Sequence, residues 1–325
     1  MKKSTENQIL LQQQHQELLR NLVGTIPGEN GMIKRIRAHQ GWWRAFVLGL
    51  PEGEYFNHKN QTWDRVCNRT FEETTDTRSN FLTDKTLQSV SLTLKERNES
   101  NPGMIEESRL NYNLLSSQPL CFNFFGELMM DTDFGLKVLQ NWWPELTELR
   151  RVIIEFAPVE RYTNDNSAFD IAFEVSMVNK SGLIGLECKY TDKFSASEYD
   201  KPEYLNIFNK SNSFIATYND LKSSKYNQLF RNQLIAEALI QNRKYDFVRT
   251  GLFCYQEDNS AIYTAHGFQQ MLSIPSDFMI ITYSNFIENI QRMNLSWDQR
   301  EWSMLLWARY CATVLSDAII KNTPK

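Results

Sequence analysis

Residues 168 to 190 alternate in period two on either side of a single turn signal, a pattern that commits the middle of the chain to a half-buried β-hairpin. On the first strand Phe169, Ile171, Phe173, Val175 and Met177 form an apolar set, while Asp170, Ala172, Glu174 and Ser176 occupy the other face. Asn179-Lys180-Ser181-Gly182 carries turn chemistry. Beyond it Leu183, Gly185, Glu187 and Lys189 share one face, and Ile184, Leu186, Cys188 and Tyr190 share the other. A four-residue loop pairs Val178 with Leu183, which sets Glu174 opposite Glu187, Ala172 opposite Lys189, and Asp170 diagonally from Lys189. A loop of three or five residues would flip one strand unless a bulge compensated.

Around the hairpin, Phe122 to Trp143 reads as helix, Arg151 to Phe156 as a short strand and Tyr218 to Asn242 as a long helix. Phe247 to Tyr255 and Phe278 to Thr282 read as further strands, and Asp298 to Ile320 as a final helix. This order, helix, three strands, helix, strand, is an α/β order and places one domain over residues 118–325. Residues 1–117 read as an N-terminal, mainly helical extension. Within it Met32 to Leu50 is helical with an interruption at Gly41, and Pro51 to Gln118 is polar and irregular.

Bulk properties narrow the chemistry. With 42% hydrophobic and 13% aromatic residues the chain is globular. No apolar run approaches the ~20 residues that a membrane-spanning helix needs, and the Gln-rich N-terminus lacks the apolar stretch of a secretion signal, so a cytoplasmic protein without a membrane partner is expected. The five cysteines are widely spaced and read as buried thiols. The four histidines show no HxH or HExxH spacing, which argues against zinc hydrolysis and His-based triads. Hydrolytic chemistry would therefore rest on carboxylates and lysine. A net charge of −4 means that a nucleic-acid partner has to be held by local basic patches. Seven Lys/Arg against three Glu in the first 50 residues mark one such region, where Lys34, Arg35, Arg37 and Arg44 interleave with Trp42 and Trp43. The competing reading has the tryptophans in a core and the arginines in solvent.

Asp170, Glu187 and Lys189 on one side of a hairpin are electrostatically unfavourable unless a cation joins them. Hard carboxylate oxygens suit Mg²⁺ or Mn²⁺, and an adjacent lysine can orient or deprotonate a metal-bound water while steadying a negative transition state. At these residues the chain resembles the PD-(D/E)XK, or restriction-endonuclease-like, superfamily. The motif is Asp170, sixteen intervening residues, then Glu187-Cys188-Lys189, preceded by an acidic helix (FNFFGELMMD, with Glu127) and followed by a polar one (YNQLFRNQLIAE). Phe169 stands where the family name has proline.

The resemblance spans about residues 118 to 255 and is closest to bacterial restriction endonucleases of unassigned specificity. It implies an α/β core with a mixed central sheet flanked by helices, Asp170 and Glu187 as metal ligands, Lys189 as catalytic residue, and Gln228 and Arg231 as supports. For a further ligand, hairpin counting nominates Glu174 and the resemblance nominates Glu127. Glu127 is preferred, because a ligand from a separate element reaches the cation from another side. The expected activity is Mg²⁺- or Mn²⁺-dependent cleavage of DNA in restriction or defence, and double-strand cutting would favour a homodimer. A repair or recombination nuclease, or a catalytically silent nucleic-acid-binding protein of the same fold, are the alternatives.

Overall fold

The protein is described by a computed structural model over residues 30–57, 60–71, 76–97, 105–195 and 197–317. Lys2, Lys3, Arg20 and the expected end of the last helix at 318–320 lie outside the described residues. Helix α1 (Gly31–Trp42) starts at Asn30, whose side chain accepts from Ile33 N at 2.8 Å, and continues as a π-helical turn over Trp43–Val47. It passes through Gly41 unbroken, since one helical glycine costs only about 1 kcal/mol and buried packing overrides it. The region expected to be irregular holds a hairpin, β1 (Gly53–Asn57) with β2 (Thr62–Val66), and helices α2 (Asp84–Arg97) and α3 (Glu107–Tyr112). Cross-strand pairs, Phe56 with Trp63 and Glu54 with Arg65, hold that hairpin where the apolar pattern is weak.

The helix expected from Phe122 to Trp143 is two helices, α4 (Ser117–Met130) and α5 (Thr132–Leu139). Asp131 leaves the helical conformation and caps α5 by accepting from Phe134 N. Strands β3 (Glu148–Phe156), β4 (Phe169–Met177) and β5 (Lys180–Lys189) follow, then helices α6 (Pro202–Asn209), α7 (Tyr218–Lys222) and α8 (Asn227–Gln241). The single helix expected over 218–242 is thus broken, at Ser223, whose backbone is extended. The described chain then runs through β6 (Phe247–Cys254), α9 (Asn259–Gln269), β7 (Phe278–Thr282), α10 (Tyr283–Gln291) and α11 (Trp297–Leu306), which ends in a π-helical turn over Trp307–Cys311. Among the described residues no helix is long and apolar enough to cross a membrane.

Two compact units result, one from residues 1–80, 106–119 and 304–325, the other from 81–105 and 120–303. The partition departs from a simple cut at residue 117. Residues 81–105 join the sheet-bearing unit because α2 lies hard against α4: a Cβ on Gly126 would sit 2.6 Å from Ser89 Oγ and 3.1 Å from Thr86 Cα. Residues after 304 return to the other unit through buried polar contacts to α1. There His39 Nε2 lies 2.9 Å from Ala308 O and Nδ1 lies 3.0 Å from Ser316 Oγ. Burial holds the His39 ring neutral, with its pKa lowered from 6.5 to about 4.

A pH dependence of stability follows. Above pH 6.5 neither folded nor unfolded His39 carries the extra proton. As the pH falls from 6.5 towards 4 the unfolded ring takes up a proton that the folded one refuses, so stability drains through that window, by about 3 kcal/mol at one pKa unit per 1.36 kcal/mol. His39→Gln is expected to flatten the fall in melting temperature between pH 7 and pH 4, and an unchanged slope would clear His39 of this role.

In the other unit the sheet order is β3-β4-β5-β6-β7, antiparallel across β3, β4 and β5 and parallel across β5, β6 and β7. Short turns suffice for the antiparallel part, while the parallel joins use the crossovers through α6 to α8 and through α9. Strand β5 is central and buried from Gly182 to Lys189. One face of the sheet carries α8, whose Ile235, Ala236 and Leu239 pack with Ala172, Leu183 and Val248. The other carries α4, where Phe124 and Phe125 meet Phe253, and Phe125 also meets Phe173.

The β4–β5 turn is shorter than the sequence suggests. Met177 pairs with Lys180, so Val178 and Asn179 alone form the loop, with Asn179 at φ 59°. Gly182 is not a turn glycine. It pairs with Phe247 across β5 and β6, and a Cβ there would lie 2.1 Å from the Phe247 ring.

Candidate active site

The shorter turn moves each residue's cross-strand partner by four positions, an even shift that keeps every side chain on its expected face. Glu174 therefore faces Leu183, and Asp170, rather than lying diagonal to Lys189, comes level with Glu187 where the ladder gives out beyond Ile171 and Leu186. Past that point Cys188 N donates to Asp170 Oδ2 at 2.6 Å, so a carboxylate takes the place of a strand carbonyl. The main chain between Glu187 and Lys189 is thereby pinned to Asp170.

Glu187 and Lys189 are 4% and 6% exposed, and burial of such charges is tolerable only with full hydrogen bonding. Helix α8 supplies it. Gln228 Nε2 and Lys189 Nζ reach Glu187 Oε1 at 2.6 and 3.0 Å, and Asn232 Nδ2 reaches Oε2 at 2.9 Å. Gln228 Oε1 in turn accepts from Lys189 Nζ at 3.0 Å. Gln228 and Asn232 are four residues apart and so share a helix face, which presents one amide to each oxygen of Glu187. Phe194 lies under the ammonium, 5.1 Å from ring centroid to Nζ, and Tyr283 OH donates to Lys189 O at 2.6 Å.

Burial raises the Asp170 carboxyl well above its ordinary value, the charges of Glu187 and Glu155 add to the rise, and Lys189 and the Cys188 amide oppose it. For Lys189, burial pulls downward, but Glu187 and Asp170 outweigh it and hold the ammonium above its usual range. In this arrangement Lys189 Nζ donates to both Glu187 and Gln228. Asp170 and Glu187 both bear on this one ammonium, and paired hard oxygen donors of this kind fit a divalent cation. Among the described residues no three His, Cys, Asp or Glu side chains form a ready-made cage, which suits an ion that keeps waters and takes ligands from a phosphate.

Both nominated extra ligands point elsewhere. Glu127 is buried against α2, where Thr83 Oγ1 donates to it at 2.7 Å and Lys85 Nζ lies at 3.4 Å. On the same helix it is Cys121 that meets the Cys188 thiol, and Glu127 lies about 9 Å further along the axis and about a third of a turn round. Glu174 accepts from Tyr245 OH at 2.7 Å, four residues, or about 13 Å, along β4 from Asp170. Besides Glu187, the carboxylate whose charge bears on Asp170 is Glu155, which sequence reasoning missed. A one-residue bulge in β3 between Leu149 and Arg151 hides its register. Asn232 was also missed, although its spacing from Gln228 is a legible signal.

Arg231 braces the loop before β4, with Nη1 3.0 Å from Ser167 Oγ and 3.6 Å from Asp165 Oδ2 and its guanidinium over Tyr199. In the other unit Arg44 is 2% exposed, and it donates to Cys67 O at 2.9 Å and to Leu50 O, so burial takes it out of any phosphate-binding surface. Arg37 Nη1 donates to Asn68 at 2.7 Å, Lys34 is exposed and Arg35 half-buried.

Gln228→Ala is expected to lower kcat ten- to a hundred-fold with little change in KM, because it removes the amide that orients both Glu187 and Lys189. A wild-type kcat would mean that those two residues hold each other unaided.

A family model described as the PD-(D/E)XK nuclease superfamily matches residues 27–312 of the chain. No curated protein and no solved structure matches.

Proposed function

The chain belongs to the PD-(D/E)XK nuclease superfamily, and from that premise we propose that it is a Mg²⁺- or Mn²⁺-dependent phosphodiesterase acting on DNA in restriction or another defence against foreign DNA. The observation that carries this reading is the single amide of Gln228 bonded to both Glu187 and Lys189, with Asp170 anchored on the Cys188 amide beside them. Asp170 and Glu187 would hold the cation, which when bound supplies Lewis-acid stabilisation and an acidified water. Lys189, kept as an ammonium, donates to the charge that develops on the phosphate. Gln228 and Asn232 fix the Glu187 carboxylate, and the Tyr283 hydroxyl fixes the Lys189 backbone.

Purified protein incubated with plasmid, linear and single-stranded DNA in Mg²⁺, Mn²⁺ or EDTA tests the reading. Cleavage that EDTA abolishes is the expected result. Binding without cleavage in either metal would overturn it in favour of the silent DNA-binding alternative, and preference for ends or branched substrates would point to repair.

Lys34, Arg35 and Arg37 remain the proposed phosphate contacts. Neutralising them is expected to weaken binding alike for all sequences and to reduce the salt slope by roughly one unit per lost contact. An unchanged slope would make them ordinary surface charges.

A further inference from the structure

We propose that a cavity beside the site, about 580 Å³ in volume, is a subsite for one nucleotide of the strand being cut, an inference that rests on the DNA-cleaving reading above. Asp200 and Lys201, with Pro202 and Leu205 of α6, form one wall, and Tyr218 and Lys222 of α7 form the other. Ligand pockets ordinarily run from about 300 to 1,000 Å³, so this volume suits a single nucleotide and not a length of duplex. Two ammoniums against one carboxylate make a local positive excess in a chain of net charge −4. Pro202 and Leu205, the latter 44% exposed, add an apolar side. A nucleotide makes those same two demands, a phosphate for the lysines and a base or sugar for the apolar side.

Two features tie the cavity to the reaction. The first is its anchoring. Asn227, 1% exposed and the neighbour of Gln228, donates through Nδ2 to Tyr199 O at 2.9 Å and to Lys222 O at 2.8 Å, and its Oδ1 accepts from Tyr199 N at 3.3 Å. Tyr199 leads into Asp200, so one buried side chain holds both walls, one residue away from the amide that orients Glu187 and Lys189. Ser195 N donates to Gln228 Oε1 at 3.3 Å, a second tie between the site and the chain that enters the cavity wall. The second feature is the setting of Lys222. Asp200 accepts from Tyr218 OH at 2.6 Å and from Lys222 Nζ at 2.7 Å, which holds the ammonium 5.5 Å from the Tyr218 ring centroid. An ion pair as exposed as this one adds little to the fold. A phosphate arriving at Lys222 therefore exchanges one oxygen anion for another on an ammonium already set in place.

Fluorescence anisotropy of labelled oligonucleotides in EDTA, where binding is read without cleavage, tests the subsite on the full chain. Lys222→Ala and Leu205→Asn are each expected to weaken binding about fivefold or more. Lys210→Ala, an exposed charge at the far end of α6, should change it by less than about twofold at about 0.15 M salt. Shortening the oligonucleotide one nucleotide at a time from either end should show one drop in wild-type affinity that Lys222→Ala lacks. Leu205→Asn leaves every charge in place, so a loss in Lys222→Ala alone would mark a general electrostatic contact and overturn the subsite, as would wild-type affinity in both. A deoxynucleoside monophosphate that raises the Tm of wild type but not of Leu205→Asn, with no drop in the length series, would give the cavity to a free nucleotide and overturn its place on the strand. Wild-type protein that binds no oligonucleotide, in EDTA or in Mn²⁺, would overturn the subsite and the DNA-cleaving reading together.

Discussion

Lys189→Ala is expected to slow cleavage about a hundred- to a thousand-fold, the loss typical of removing one preorganised donor from a developing oxyanion. The ammonium is held by Glu187 and Gln228 at 3.0 Å each, and its pKa lies above the ordinary range, so it enters the reaction already charged and already aimed. The fold should survive. Glu187 keeps Gln228 on one oxygen and Asn232 on the other, so no buried carboxylate oxygen loses its last donor. Lys189→Arg should not restore the rate, because a planar fork does not reproduce a compact point charge in a buried site. Rates on DNA with circular dichroism of both variants check this, and a folded Lys189→Ala that cuts near the wild-type rate would remove the lysine from the mechanism.

The largest stability effect is expected at Arg309 in the other unit. It is 0% exposed, donates through Nη1 to Asn80 O at 2.8 Å and through Nη2 to Asn80 Oδ1, and stacks against Tyr310. Its own carbonyl accepts from Gln40 Nε2 at 2.9 Å. Arg309→Leu strands buried acceptors on Asn80 while filling most of the volume, and about 3–5 kcal/mol should be lost, a large share of the 5–15 kcal/mol that ordinarily separates folded from unfolded chains. Denaturant melts check it, and a loss under about 1 kcal/mol would show that water or a neighbour replaces the guanidinium.

What the sequence made legible was local and periodic. The alternation of 168–190 gave the hairpin and the faces of its residues, because side-chain direction in a strand depends only on parity. Gln228 was legible as a polar residue on the helix after the motif. The turn length was not, because Gly182 served the Phe247 ring instead of the loop. Glu155 was out of reach for a related reason: its position opposite Asp170 depends on a bulge that no period reveals. Glu127 misled because a buried acid on the right helix is the same signal whether it faces the site or, as here, Thr83 and Lys85. The irregular reading of 51–118 failed where short pieces are held by tertiary packing and cross-strand pairs rather than by their own pattern.

The discontinuity of the first unit has a consequence for the order in which the protein comes into being. His39 and Ser316 are 277 residues apart in sequence, and Gln40 waits for Arg309 across 269. On a ribosome adding about 5–20 residues per second, helix α1 emerges first yet must hold its buried polar groups unmet until the last described segment arrives. Every described residue of the acidic site and its supports, up to Tyr283, has been synthesised by then. Nascent chains halted between residues 290 and 303 should therefore carry the complete set of site residues while the N-terminal helix still lacks its partners.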